Sequence, residues 1–259
     1  MTDVAVHRPG PRAWAALLIC ELKMVARDTA GLIVPIGLPM LILVMSASSA
    51  GRETIAHGRT AFDVHVLPLV FTMVVATTGI VNMPSFLAYY RRSGILRRLG
   101  VTPVSPALVL IAQAAAGVLQ IAVGVTAAWI LAVLAFDANP PVRVGAALGV
   151  LALTVAAMYA VGLIVAALSP TPNSSVAIGL SVFFVLGATG GMFGGLDSLP
   201  EAITAIGRWL PFGAGSQALS AAWIGAPIEA SNLIGLAAAV VFGGVVAAVF
   251  FRWDQALSP

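Results

Sequence analysis

Four arginines, Arg91, Arg92, Arg97 and Arg98, fall within eight residues of the stretch YYRRSGILRRLGVTPVSP, which runs from Tyr89 to Pro106. A guanidinium stays charged and presents a fork of donors, so such a cluster suits carboxylates on a partner protein or phosphates on a lipid surface. The groups needed for bond-making chemistry are missing. There is no His-Glu-x-x-His, no pair of aspartates within an apolar run and no Gly-x-Ser-x-Gly turn. Gly213-Ala214-Gly215-Ser216 lacks the second flanking glycine and reads as loop flexibility. A loop that cradles nucleotide phosphates needs Gly-Lys-Ser/Thr, yet the only lysine, Lys23, stands between Leu22 and Met24. We therefore expect no ATP hydrolysis, no cofactor and no metal in this chain. The single cysteine, Cys20, excludes an internal disulfide and a thiolate cluster.

The elements that position these arginines are apolar. Of 259 residues, 60% are hydrophobic and 9% charged, against roughly 25% charged in a soluble domain. Mean hydropathy is +1.03. This composition implies an all-α integral membrane protein. A net charge of +3 is small, and the basic residues flank apolar runs, where they orient helices; nucleic-acid binding is a poor reading.

A helix crossing the hydrocarbon core needs about 20 apolar residues. Runs of that kind predict six transmembrane helices, at about 30–50, 64–88, 107–136, 144–168, 175–196 and 230–251. Two prolines in LGVTPVSP delay the third span to Ala107, and SPTPNSS, Ser169 to Ser175, reads as the turn dividing the fourth from the fifth. Trp209 to Ile228 has the length of a span but contains Pro211, Gly213, Gly215, Ser216, Gln217, Gly225 and Pro227. We read 197–229 as an outer re-entrant segment; a seventh crossing is the alternative and would separate the termini. With six spans, nine of the 13 basic residues (Arg8, Arg12, Lys23, Arg27, Arg91, Arg92, Arg97, Arg98 and Arg252) share a side with both termini. That side is expected to be cytoplasmic. The first apolar run exceeds the roughly 7–15 residues of a signal-peptide core, which argues against cleavage. The sequon Asn173-Ser174-Ser175 falls on the cytoplasmic side and reads as chance.

Within 89–104, Ile95, Leu96 and Leu99 share one arc of a helical wheel, with Arg91, Arg97 and Arg98 opposite. This predicts a short amphipathic helix closed by Gly100 and Thr102-Pro103. The arginines could serve only as an orientation signal, but an orientation signal needs no apolar stripe. Residues 12–28 repeat the pattern: Trp14, Leu17, Leu18, Leu22, Met24 and Val25 lie on one face, Lys23 and Arg27 opposite, predicting an interfacial helix. Glu21 projects from the apolar face. It either pairs with the arginine loop or sits solvated at a helix edge.

At these residues the chain resembles the permeases of type-2 ATP-binding-cassette (ABC) transporters, the group containing daunorubicin and multidrug exporters and lipid and polysaccharide exporters. The likeness covers nearly the whole chain. ELKMVARDTAGLIVPIGLPMLILVM looks like the interfacial helix leading into the first span, YYRRSGILRRLGVTPVSP like the coupling loop, and GGMFGGLDSLPEAITAIGRWLPFGAGSQAL like the segment before the last span. The resemblance implies a separate ATPase subunit, which binds ATP and Mg and docks at Arg91, Arg92, Gly94, Leu96, Arg97, Arg98, Leu99, Thr102 and Pro103, with Glu21 in support. It also implies a second permease copy or homologue as a dimer partner, and a bacterial plasma membrane. Many members carry an acid just before the loop glycine; Arg92-Ser93 precede Gly94 here, so that charge pair is not carried over.

Two other classes remain. An ion-coupled secondary transporter would place Asp, Glu or His at mid-membrane, and none lies there: the acids fall in loops or at span edges, and His65 stands near the outer end of the second run; an intramembrane enzyme would need the motifs found missing above. Polar residues within spans include Asn82, Gln113, Gln120 and Thr126, candidates for helix-to-helix hydrogen bonds or for lining a path. Gly190 with Gly194 and Gly191 with Gly195 have helix-packing spacing near the outer end of the fifth span. Apolar walls favour a hydrophobic drug or lipid as substrate over a hydrated polysaccharide.

Overall fold

The computed structural model describes residues 10–49, 54–56, 58–93, 106–195 and 199–250. The loop positions Gly94, Leu96, Arg97, Arg98, Leu99, Thr102 and Pro103 lie outside the described residues.

Helix α1 (Pro11–Arg27) is followed after one residue by α2 (Thr29–Ser49). Asp28 makes the break: its backbone is extended, and its Oδ1 accepts the Gly31 N–H at 3.1 Å as the N-cap of α2. A small hairpin, β1 (Thr54–Ala56) and β2 (Arg59–Thr60), leads into α3 (Phe62–Arg92). Then come α4 (Pro106–Phe136), α5 (Val144–Leu168), α6 (Pro172–Thr189), the short α7 (Glu201–Gly207) and α8 (Pro211–Ile224), and α9 (Ala230–Phe250). Six of these, α2 to α6 and α9, are long and apolar enough to cross a membrane. The two ends of the bundle are called here the α1 end and the far end, where α2, α4 and α6 stop.

Helix α3 is the hub, with 89% of its most apolar stretch buried against 22% to 44% in the other five. It is not uniform: Phe62–Val66 and Thr77–Asn82 are π-helical. Each π segment is followed two residues later by a proline, Pro68 and Pro84. A proline has no N–H for the carbonyl four residues earlier, and the wider turn takes up that break. The second π segment also lies at a close helix contact. A side-chain carbon on Gly162 of α5 would collide with the Gly79 carbonyl, and one on Gly179 of α6 would come within 2.6 Å of the Ile80 carbonyl.

At the far end, α8 begins deep and climbs out. Ala214 packs with Ala157, near the middle of α5, and with Leu236 of α9, whereas the carbonyls of Ala222 and Trp223 accept the N–H groups of Arg143 and Val142 just before α5 starts. Gly225, at φ 73°, closes the helix in the left-handed region. At 1.5 Å per residue α8 is roughly 21 Å long, short of the about 30 Å hydrocarbon core.

Three details differ from the sequence reading. Tyr89 to Arg92, placed in the loop, form the last turn of α3. Asn173, Ser174 and Ser175, read as a turn, are the first turn of α6, because Thr171 and Ser174 make a reciprocal capping box behind Pro172. Gly190, Gly191, Gly194 and Gly195 do not lie on a helix: α6 ends at Thr189, and Gly191 and Gly195 have φ of 86° and 78°. They form a turn in which Gly190 lies against Phe212 and Gly213 of α8.

Candidate functional site

At the α1 end, α1 lays its apolar face on α4, with Val25 buried and Met24 packed on Tyr90 and Val109, while Lys23 and Arg27 face outward. Glu21 is only 6% exposed. The Tyr90 hydroxyl donates to Glu21 Oε2 at 2.5 Å. Burial raises the Glu21 carboxyl above the ordinary carboxylate range, and the hydrogen bond from Tyr90 only partly offsets this. The acid expected to meet arginines therefore meets a phenol on α3 among the described residues.

Arg91 turns inward. Its guanidinium donates to the carbonyls of Ala166 and Ser169, at the C-terminus of α5. Those last carbonyls have no partner within the helix and carry the negative end of its dipole, so a guanidinium is well suited to cap them. Arg92 is exposed. The last turn of α3 thus ties α1 on one side to α5 on the other.

One turn inside α2 lies a second cluster. Pro35 has no N–H for the Gly31 carbonyl. That orphaned oxygen accepts Asn82 Nδ2 of α3 at 2.5 Å and Gln120 Nε2 of α4 at 2.7 Å. Asn82 Nδ2 also lies 3.5 Å from Gln120 Oε1. Asn82 and Gln120 are both buried, and they clasp three helices through one backbone carbonyl. Gln113 is buried apart from them, beside a cavity of about 240 Å³ that it shares with Met83, Leu110 and Tyr159.

The far end holds a clasp that sequence reasoning missed. Asp63, fully buried, accepts the Thr60 N–H and hydroxyl at 3.0 and 3.1 Å and the Asn139 N–H and side-chain amide at 2.9 and 3.2 Å. Trp223 of α8 donates its indole N–H to the Asn139 carbonyl at 3.0 Å. The local signal was Thr60 three residues before Asp63; the Asn139 half is visible only in three dimensions. Beside this clasp, between α3, α8, the 190–195 turn and the start of α9, opens a cavity of about 680 Å³. Its polar wall carries His65, Ser216, Gln217, Ser220, Glu229 and Asn232. Among the described residues, no three His, Cys, Asp or Glu side chains come together as metal ligands.

These features are those of a bundle of long apolar helices with polar joints at its two ends. No curated protein matches the chain. The family model for the ABC-2 type transporter matches residues 12–224, from the start of α1 to the end of α8. The chain therefore belongs to the ABC-2 type transporter family and is a multi-pass membrane transport subunit.

Proposed function

We propose that the chain is the permease of an ATP-driven exporter that moves a hydrophobic drug-like or lipid substrate outward, with ATP hydrolysed by a separate subunit docked at the α1 end. The observation that carries this reading is the last turn of α3. One continuous helix runs from the far-end clasp to Arg92, and at Tyr90 and Arg91 it is joined to α1 and α5. A displacement applied to residues 93–105 is thereby delivered to α1, α3 and α5 together. Arg92, Leu96, Leu99, Arg97 and Arg98 are the proposed docking contacts, with Gly94, Thr102 and Pro103 shaping the loop; Arg91 and Glu21 transmit rather than dock. Both termini face the cytoplasm, residues 197–229 re-enter from outside, and two permease copies enclose the path.

Co-purification of the cognate ATPase tests this. Leu96→Asp places an unpaired carboxylate in the interface and abolishes association, whereas Arg97→Ala gives a milder, salt-sensitive loss. Normal association and transport in Leu96→Asp, with the loop still cytoplasmic, would leave the arginines as an orientation signal.

A further inference from the structure

The far-end cavity plays no part in docking or in joining the helices, and its chemistry is specific. Its volume of about 680 Å³ lies within the roughly 300–1,000 Å³ of small-molecule sites. Two of its side chains are unsatisfied: Asn232, only 2% exposed, leaves Oδ1 without a hydrogen-bond partner, and Gln217 leaves Nε2 without one. The amide torsion is soft, so each group can turn its oxygen or its nitrogen toward the cavity. A ligand group that both donates and accepts serves either orientation, and a hydroxyl does so. Ser216 and Ser220, one helical turn apart on α8, add two more hydroxyl partners. Leu69, Met192 and Ile224 supply an apolar wall. Among the described residues lining the cavity there is a carboxylate, Glu229, but no lysine or arginine. Besides the His65 imidazole, an anionic head would find no cationic side chain among them to offset repulsion from Glu229.

We propose that this cavity binds an uncharged, hydroxyl-bearing amphiphile, its head on Gln217 and Asn232 and its chain along Leu69 and Ile224, as a release site at the outer end of the path. Its role in release rests on the export reading; the binding itself does not. The test uses the full chain alone in phosphatidylcholine nanodiscs, without ATPase or nucleotide, and tritiated decyl glucoside as probe, with empty nanodiscs subtracted. Saturable binding is expected, displaced by unlabelled decyl glucoside and not by decyl sulfate. Gln217→Leu and Asn232→Leu should each weaken it about tenfold, the effect of one good hydrogen bond. Ser220→Trp, which puts a large side chain into the cavity, should abolish it while thermal unfolding and elution stay unchanged. Equal displacement by decyl sulfate, or undiminished binding in Ser220→Trp, overturns the proposal. Failure here leaves the ATPase-docking test unaffected, and failure there leaves this one standing.

Discussion

Pro35 and Asn82 are 47 residues apart in sequence, yet the first creates the need that the second meets. Removing the amide by Asn82→Leu leaves the Gly31 carbonyl with Gln120 alone and should lower stability by about 1–2 kcal/mol. Pro35→Ala returns a backbone N–H to that carbonyl, so in its background Asn82→Leu should cost clearly less; thermal unfolding of the four-member cycle in detergent measures the difference. Glu21 gives a pH signature. Its carboxyl titrates higher when α1 is docked than when it is free, so the docked state holds more protons between those two values. Docking is therefore strongest below the ordinary carboxylate range and weakens as pH rises through the raised value. A spin label on Cys20, exposed on α1, should become more mobile over that window in the wild type and not in Glu21→Gln. That Glu21 needed a partner was legible from its place on an apolar face. That the partner is Tyr90 was not, because a tyrosine beside two arginines carries no signal of facing a helix 69 residues away.

At the scale of elements, six long helices were legible because bilayer thickness imposes a length and a composition that survive any tertiary arrangement. Boundaries were harder where a polar cluster can either turn the chain or cap a helix. Thr171-Pro172-Asn173-Ser174 has turn composition, and the same residues make a helix start. The 190–195 glycines show the converse: spacing of four suggests a helix face, but the positive φ of Gly191 ends the helix and that of Gly195 keeps the chain turning. The π segments of α3 were illegible as such, although Pro68 and Pro84 marked where backbone donors are missing. For α7 and α8 the prediction concerns sidedness. A reporter fused after Trp253 should be active only in the cytoplasm and one after Asp197 only outside; an outer carboxyl terminus would make α8 a true crossing. The depth of Ala214 and the exit of α8 at residues 142–143 argue for the first outcome.

For the whole molecule, the division of surface matters most. Five of the six long helices keep more than half of their apolar stretch outside the core, while α3 gives up almost none. The apolar surface open to lipid or to a second copy therefore belongs to the outer helices and not to the hub. A bilayer thinner or thicker than the helices demand makes them tilt, at a cost of fractions of a kcal/mol per Å; α3, shielded, has no such reason to move. Chain length in the surrounding lipid should then act as a control on transport. In reconstituted vesicles of phosphatidylcholines graded in acyl length, with the ATPase present, transport per ATP should peak at one thickness and fall on both sides. ATP hydrolysis itself should change less, because the joints at Tyr90 and Arg91 hold to α3. The bilayer becomes a tuning element, setting the angle at which five helices lean against an axle that lipid does not reach.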